Sequence, residues 1–265
     1  MSHILTLIDS FGTAAIFVGV YMTLWFVYAT IRSRNDVADI AWGIGFVGIA
    51  WVLFREYSVQ AILILSFVTL WGFRLAGHIA VRNTAKGEDF RYAEWRRTWG
   101  KIFYVRSFVQ IFMLQGLLLL LISVPVIAVL GVGGYKVVPQ GIWLVTTIAG
   151  ALIWINGFIF EAGGDYQLKK FLANPENKGK IMTQGLWKFT RHPNYFGEVS
   201  QWWGIYLIAL PNPLWWVLLI GPLTISFLIL KVSGIPMLEK KYEGNAEFEV
   251  YKSKTNAFFP WKPRN

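Results

Sequence analysis

The chain has 265 residues, of which 55% are hydrophobic and 17% aromatic, while only 15% are charged. Long apolar runs in such a composition indicate an integral membrane protein and exclude an ordinary soluble domain. The chain contains no cysteine, which excludes disulfides, thiolate nucleophiles, thiolate zinc sites and iron–sulfur clusters. Its three histidines, at positions 3, 78 and 192, lie far apart in the sequence, so we expect no histidine-rich metal site.

Seven apolar segments approach or reach the length of about 20 residues that a helix needs to cross a bilayer. We place them at Phe11–Ile31, Val37–Phe54, Val59–Ala80, Phe108–Leu130, Pro139–Phe160, Tyr195–Leu210 and Leu214–Leu230. No glycine-, serine- or charge-rich linker divides the chain. We therefore expect an all-α integral membrane protein of about seven transmembrane helices, with a single domain over residues 1–265 and without a cleavable signal.

The net charge of +10 is unevenly distributed over this topology. Of the 25 lysines and arginines, 22 fall on the same side of the predicted membrane. The positive-inside rule then places the N-terminus outside and the C-terminus in the cytoplasm. Topology alone explains these basic loops, so they do not indicate nucleic-acid binding. A role in binding an anionic ligand is compatible with the same distribution.

Polar side chains inside the predicted spans are costly, so each of them needs a partner or a function. The second span contains Asp39, and the third carries Arg74 and His78 four residues apart on one helical face. The fifth span and the residues after it add Asn156, Glu161, Asp165 and Lys169. Buried ion pairs, for example Asp39 with Arg74, would explain these residues as purely structural. Because several helices direct them to the cytoplasmic half, we expect a cavity that opens to that side.

The densest polar segment is Gly185–Glu198, GLWKFTRHPNYFGE, just before the sixth span. Pro193 suits a first helical turn and disfavours helix in the preceding residue, so a helix is predicted to begin here. Its free N–H groups would bind a phosphate or a carboxylate. Arg191 adds a cation, Asn194 can recognise an amide, and Glu198 can accept a hydrogen bond from a ligand. A purely structural helix cap is the alternative.

Two further cytoplasmic segments stand out. Residues 82–97, RNTAKGEDFRYAEWRR, are typical of a capped interfacial helix. The tail SGIPMLEKKYEGNAEFEVYKSKTNAFFPW is charged, and we expect it to fold back over the cytoplasmic end of the spans. No GxGxxG motif follows a predicted strand, so a cofactor site would be built from helix ends and loops rather than from a Rossmann domain.

Four segments, in this order, resemble the steroid 5α-reductase family, in particular its bacterial branch. They are DVADIAWGIGF, RLAGHIAVRNTAKGEDFRY, GLWKFTRHPNYFGE and SGIPMLEKKY. The resemblance covers most of the chain. It implies an enzyme of the bacterial inner membrane that uses NADPH to reduce a carbon–carbon double bond conjugated to a ketone in a steroid-like lipid.

The resemblance also implies roles for particular residues. An Asn and a Glu that hold the cofactor match Asn194 and Glu198, an Asp-Tyr pair matches Asp165 with Tyr166, and a tail Tyr matches Tyr242. With the neighbouring basic and polar residues, the predicted cofactor site comprises Asn156, Asp165, Lys169, Lys180, Arg191, His192, Asn194, Tyr195, Glu198 and Tyr242.

The predicted catalytic residues are Asp39, Arg74 and His78. In the eukaryotic members a Glu of the second helix and a Tyr of the third bind the ketone; here Asp39 is the nearest acid and Trp71 matches the Tyr position. Hydride transfer to the β carbon develops an enolate oxygen, which needs donors or positive charge aimed at it. A protonated Asp39 could donate, assisted by Arg74 or His78.

Two other functions compete with the reductase. Membrane methyltransferases that use S-adenosylmethionine, such as isoprenylcysteine methyltransferases, carry a similar RHPxYxG segment. They also carry a Glu-Glu pair in the tail, where this chain has Glu239 and Lys240, which favours the reductase. A lipid binder or a transporter is the non-enzymatic alternative. A transporter is expected to have inverted repeats, and we find none in the sequence.

Overall fold

The structure is a computed structural model that describes residues 2–55, 57–84, 87–132 and 139–264. It is 80% helical, and the described residues form no strand, which confirms the all-α prediction. The helices are α1 (Ser2–Arg32), α2 (Val37–Leu53), α3 (Val59–Thr84), α4 (Phe90–Trp99), α5 (Phe103–Arg106), α6 (Leu114–Ile122), α7 (Val124–Gly131), α8 (Ile142–Ala173), α9 (Pro193–Ala209), α10 (Trp215–Leu218), α11 (Ile220–Phe227), α12 (Ile235–Lys240) and α13 (Ala246–Lys254). Two π-helical segments, Ser107–Met113 and Leu228–Val232, continue α5 and α11.

Within the described residues, five helical stretches are long and apolar enough to cross a membrane. They are His3–Arg32, Val59–Thr84, Tyr92–Ile122, Ile142–Ala173 and Trp215–Lys240. The fifth stretch breaks at Ser233 and Gly234, after which the charged α12 follows the apolar part. Helices α2 and α9, which we also predicted to span, have 17 residues each. The apolar helices support a membrane protein, and the count of seven spans stays a prediction.

The chain forms two compact units, which are described separately below. The first unit comprises Met1–Trp143 and Ala209–Gly221, and the second comprises Leu144–Ile208 and Pro222–Asn265. The prediction of a single domain over the whole chain stays a prediction.

In the first unit, α2 and α3 pack with their backbones in contact. A Cβ atom added to Gly43 would lie 2.6 Å from the carbonyl oxygen of Gly72, and one added to Gly72 would lie 2.5 Å from that of Gly43. Without side chains at this crossing, the helices approach closely enough for extensive van der Waals contact, which stabilises helix pairs in lipid.

In the second unit, α8 and α9 pack along a row of glycines spaced by seven residues. A Cβ on Gly150 would lie 2.6 Å from the Gly204 carbonyl oxygen, and one on Gly157 would lie 2.6 Å from that of Gly197. Further along, Gly164 packs against Pro193 at the start of α9. The two helices are therefore antiparallel, and this glycine row holds the start of α9 against the C-terminal half of α8.

Candidate functional site

Helix α9 begins at Pro193, as the sequence predicts, and His192 precedes it. A 3₁₀ turn leads into this point, and the indole N–H of Trp187 in that turn donates to the carbonyl oxygen of Gly164 on α8 at 3.1 Å. Residues Gly185–Glu198 form what we call the motif segment. This bond therefore holds the motif segment against α8 just before the helix start. The first N–H groups of α9 are largely satisfied within the protein, because that of Phe196 donates to the His192 carbonyl oxygen at 3.0 Å and that of Tyr195 to the Asn194 side chain.

Asn194 lies in the first turn of α9 and pairs with α8. Its side-chain nitrogen Nδ2 donates to Oδ1 of Asp165 at 3.2 Å, although the two residues are 29 positions apart. Its side-chain oxygen accepts from the Tyr195 backbone N–H at 3.1 Å. Glu198 follows one helical turn later, and all these side chains are half-buried. The structure thus brings together Asn194, Asp165 and Tyr195, with Glu198 on the same stretch of α9.

Arg191 is engaged by the protein on every nitrogen of its guanidinium. Its Nε and Nη2 lie 2.9 and 2.8 Å from Oε1 of Glu239. Its Nη1 donates to the carbonyl oxygens of Thr255 and Lys252 at 2.5 and 3.3 Å. The side chain is only 7% exposed. Arg191 therefore binds the tail. We had predicted that it binds the cofactor phosphates and had not predicted this structural role.

His192 is 5% exposed and shares the same carboxylate. Its Nε2 lies 3.0 Å from Oε1 of Glu239, and its ring stacks on Tyr195 with centroids 5.6 Å apart. The other ring nitrogen, Nδ1, is buried and has no hydrogen-bond partner among the described residues. A buried polar atom without a partner is costly, but because Nδ1 is buried a ligand would reach it only after the surrounding side chains moved.

Glu239 lies on α12, beyond the break that ends the last apolar stretch. Partial burial acts to raise the pKa of its carboxyl, but the hydrogen bonds from His192 and Arg191 and the positive charge of Arg191 lower this pKa below its ordinary value overall. Glu239 therefore stays ionised, and one carboxylate links the motif segment to the tail.

The tail folds back onto the motif segment, as predicted. The Thr190 hydroxyl donates to the Phe258 carbonyl oxygen at 2.8 Å, and the Arg191 backbone N–H donates to that of Asn256 at 2.9 Å. The Tyr251 hydroxyl on α13 donates to the Trp187 carbonyl oxygen. These contacts make residues 251–258 a structural part of the candidate site.

Other predicted cofactor residues are exposed rather than clustered. Asn156 precedes Asp165 by nine residues, which places it about 13 Å away along α8 and on the opposite helical face. Lys169 and Lys180 are exposed, and Tyr242 is 42% exposed and stacks on a phenyl ring of α13. The lysines are free to meet a phosphate from solvent, whereas the structure does not bring Asn156 to Asp165.

A buried amide–carboxylate pair lies next to the predicted site and was not assigned to it. Gln201 and Glu161 are 1% and 2% exposed, and Nε2 of Gln201 donates to Oε2 of Glu161 at 2.5 Å. Glu198 follows Asn194 by four residues on α9, and Gln201 follows Glu198 by three. That spacing was a usable signal, because it puts all three side chains on the face that meets α8.

In the first unit, Asp39 forms a hydrogen bond that spacing alone did not predict. The hydroxyl of Tyr92, on α4, donates to Oδ1 of Asp39 at 2.8 Å. The Tyr92 side chain is 3% exposed, whereas Asp39 is half-buried. Trp71, which the resemblance places at the ketone-binding Tyr of the eukaryotic reductases, packs edge-on against Phe46 in the core with centroids 5.3 Å apart. The structure thus pairs Asp39 with a phenol from another helix.

Arg74 and His78 are half-buried on α3, one turn apart. Helices α2 and α3 are antiparallel, since Gly43 lies against Gly72 and Ala76, while Gly72 lies against Gly43 and Val47. One further turn brings Asp39 to the level of residues 76–80. His78 therefore lies at the level of Asp39, and Arg74 lies one turn further along α3; their grouping in one catalytic site stays a prediction.

A polar network holds the segment that carries Tyr92. Oε1 of Glu88 accepts from the Asn35 backbone N–H at 2.7 Å and from Arg96 at 3.0 Å. The Asn35 side chain in turn donates to the buried hydroxyl of Ser107 at 2.7 Å. Because these bonds join the ends of α1, α4 and α5, they fix the position of the phenol over α2.

A family profile described as "Protein of unknown function (DUF1295)" matches residues 25–255. The chain belongs to the DUF1295 family. A search of curated proteins and a search of solved structures each found no significant match. The matched region includes Asp39 and Tyr92 as well as the motif segment and most of the tail.

Each cluster of this DUF1295 protein has a distinct chemical capacity. The second unit offers an amide–carboxylate pair at a helix start, an imidazole nitrogen that lacks a partner, and exposed lysines. Such a set can bind a ligand that has amide or hydroxyl groups together with phosphates. The first unit offers a phenol that is hydrogen-bonded to a carboxyl group. The phenol can donate to an oxygen that gains negative charge once Asp39 is protonated and donates to the phenol oxygen instead.

Proposed function

We propose that this protein is a membrane-embedded oxidoreductase that uses NADPH to reduce the double bond of an enone in a steroid-like lipid, as in 5α-reduction of a 3-oxo-Δ4 steroid. The DUF1295 family is associated with steroid 5α-reductase-like proteins. The observation that carries the proposal is the hydrogen bond between Asn194 and Asp165. The resemblance assigned both residues to the cofactor, and the structure pairs them across 29 positions.

The residues of the second unit fit a dinucleotide. The Asn194 amide and the Asp165 carboxylate can bind its carboxamide and hydroxyl groups, Glu198 can accept another hydroxyl, and Lys169 and Lys180 can meet its phosphates. Arg191 fits less well as a phosphate ligand, because Glu239 and two carbonyl oxygens already occupy its donors. When bound, NADPH supplies the hydride that forms the new C–H bond at the β carbon of the enone.

The residues of the first unit supply the electrostatic part of the mechanism. As the β carbon gains the hydride, the ketone oxygen gains negative charge, and a fixed O–H donor stabilises it. We assign this donor to Tyr92: its one O–H, which donates to Asp39 in this structure, would turn to the ketone oxygen when a protonated Asp39 donates to the phenol oxygen instead. Arg74 and His78 are the other polar groups that we assign to this step. Protonation of the α carbon completes the balance, so that the substrate gains one hydride and one proton.

The methyltransferase alternative has one observation in its favour. Glu239 occupies the position of the first Glu of that family's acidic pair, and it contacts both Arg191 and His192 of the shared RHP segment. An S-adenosylmethionine site at the same helix start would use these groups. Lys240, where that family has its second Glu, still favours the reductase.

Cofactor-dependent thermal stabilisation of the detergent-solubilised protein separates the two functions. We expect NADPH to raise the melting temperature more than NADH or S-adenosylmethionine does. Asn194→Ala and Glu198→Ala are each expected to abolish this rise and the NADPH-dependent loss of enone absorbance. Gln140→Ala, which removes an exposed amide from the first unit, is the matched control. Selective stabilisation by S-adenosylmethionine would reverse the assignment.

A further inference from the structure

An aromatic and basic surface of the first unit has no role in the proposed reaction. We define it as the headgroup patch: Trp95, Trp99, Lys101 and Arg106. The rings of Trp95 and Trp99 are stacked, with centroids 5.3 Å apart and planes 6° apart. The guanidinium of Arg106 lies 5.7 Å from the centroid of the Trp99 ring. Lys101 follows two residues after Trp99, and both cationic side chains are exposed.

The positive charge of the headgroup patch is not compensated. The neighbouring Arg96 is paired with Glu88 at 3.0 Å, and Arg97 is paired with Glu94 at 2.8 Å. Lys101 and Arg106, in contrast, have no acidic partner within the residues that the structure describes. Arg106 lies beside an aromatic face, and Lys101 is a second exposed cation five residues earlier in the chain. Such a set can bind a phosphate group, because the charge attracts the anion and the ring excludes water from one side.

The position of the headgroup patch along its helix indicates a lipid as the source of that phosphate. Residues 103–122 are helical without a break and rise by about 30 Å, which is the thickness of the hydrocarbon core. The patch lies at and just before the start of this stretch, where aromatic and basic residues meet headgroups. Next to Arg106, Tyr104 and Val105 are 52% and 69% exposed. Exposed apolar side chains at that point favour acyl chains over a water-soluble phosphate.

We propose that the headgroup patch binds the phosphate of an anionic phospholipid. Lys101 and Arg106 contact the phosphate oxygens, Trp99 packs against the glycerol backbone, and the acyl chains follow the exposed apolar side chains of α5. Each basic residue near an anionic membrane surface contributes about 1 kcal/mol, which corresponds to about a fivefold change in affinity. This site is separate from the proposed reductase function and does not depend on it.

Lipid-dependent thermal stability of the full-length protein in detergent tests this site. We expect phosphatidylglycerol to raise the melting temperature more than phosphatidylcholine does, and glycerol 3-phosphate to have no effect. The variant Lys101→Gln/Arg106→Gln is expected to weaken the affinity for phosphatidylglycerol about 25-fold, while its melting temperature in phosphatidylcholine stays that of the wild type. The single variants are each expected to lose about fivefold.

Lys178→Gln/Lys262→Gln is the matched control, since it removes two exposed lysines outside the headgroup patch. It should retain the response to phosphatidylglycerol. Equal stabilisation by the two lipids would overturn the proposal, as would an unchanged response in Lys101→Gln/Arg106→Gln. An equal loss in the control would show an effect of net charge alone. Saturation of the patch by glycerol 3-phosphate or NADPH, with loss of the lipid effect, would assign it to a soluble phosphate instead.

Discussion

At the residue scale, both candidate clusters depend on pairs that are distant in the sequence. The motif segment identified Asn194 and Glu198, because a proline-started helix rich in polar residues is recognisable from the chain alone. The partner of Asp39 was not recognisable: Tyr92 is 53 positions away on another helix, where its pattern indicated an interfacial side chain. Spacing predicts which residues share a helical face but not which faces meet.

The hydroxyl of Tyr92 is expected to matter for turnover rather than for cofactor binding. Tyr92→Phe removes one oxygen atom and leaves the ring in its buried position. Loss of a donor to a developing oxyanion lowers the rate by about 10²- to 10³-fold. We expect a fall of this size in enone reduction, with the thermal stabilisation by NADPH unchanged. Tyr57→Phe, at a side chain that is 83% exposed, is the control. Wild-type turnover in Tyr92→Phe would remove the phenol from the mechanism.

Asp39→Ala is expected to lower turnover more than it lowers the affinity for NADPH, because we assign its carboxyl group to the phenol of Tyr92 and not to the cofactor. Turnover and cofactor affinity are both measurable on the purified variant. If the affinity for NADPH fell more than turnover, Asp39 would belong to the cofactor site instead.

The Glu239 carboxylate is expected to make stability depend on pH in the acid range. Its folded-state pKa is lowered, so its contribution is complete above the unfolded pKa of about 4.3 and is lost as the pH falls through the folded pKa. Glu239→Gln leaves the buried Arg191 without its charge partner, at a cost of about 3 kcal/mol near neutral pH. Melting temperatures from pH 7 to pH 3 should therefore fall less steeply in the variant. Parallel curves would contradict this linkage.

At the element scale, glycines decide how the helices pair. The spacing of seven in Gly150, Gly157 and Gly164 is visible in the sequence, and it marks the face of α8 that meets α9. The partner helix could not be predicted from the sequence. Several helices carry glycines that allow a close approach, and the side chains around these glycines decide which two helices pair.

Gly72 and Gly77 on α3 provide a matched pair for this packing. A Cβ at Gly72 would lie 2.5 Å from backbone and side-chain atoms of α2, whereas a Cβ at Gly77 meets nothing within 4 Å. We expect Gly72→Ala to lower stability by about 1–3 kcal/mol through overpacking. Gly77→Ala should be neutral or slightly stabilising, since alanine favours helix by about 1 kcal/mol over glycine. Denaturation midpoints in detergent measure both; equal effects would mean that α2 and α3 do not pack at Gly72.

At the scale of the whole molecule, the sequence predicted an all-α membrane protein and a tail that folds back. It did not fix the number of helices that cross the membrane. Apolar length identifies a helix that crosses a membrane when it exceeds about 18 residues, but α2 and α9 fall just below this length. Neither unit is continuous in the sequence, since residues 209–221 belong to the first unit and lie between two segments of the second, 144–208 and 222–265. No local pattern marks such an arrangement. The predicted common cavity for all polar groups stays a prediction.

The absence of cysteine makes the predicted topology directly measurable. A single cysteine at Lys178, in the loop before the motif segment, should react with a membrane-impermeant maleimide only after the inner membrane is opened. A cysteine at Gln140 should react in intact spheroplasts. Both positions are exposed. The opposite labelling pattern would invert the orientation and place the motif segment outside the cytoplasm.

Transfer of deuterium from NADPH to an enone tests the proposed function most directly. The purified protein would be incubated with a 3-oxo-Δ4 steroid and NADPH deuterated at the transferable position, and the product analysed by mass spectrometry and NMR. We expect a saturated ketone with one deuterium at the β carbon, and no such product from Asn194→Ala. A stably folded wild-type protein that neither binds NADPH nor forms labelled product from this enone would contradict the reductase assignment.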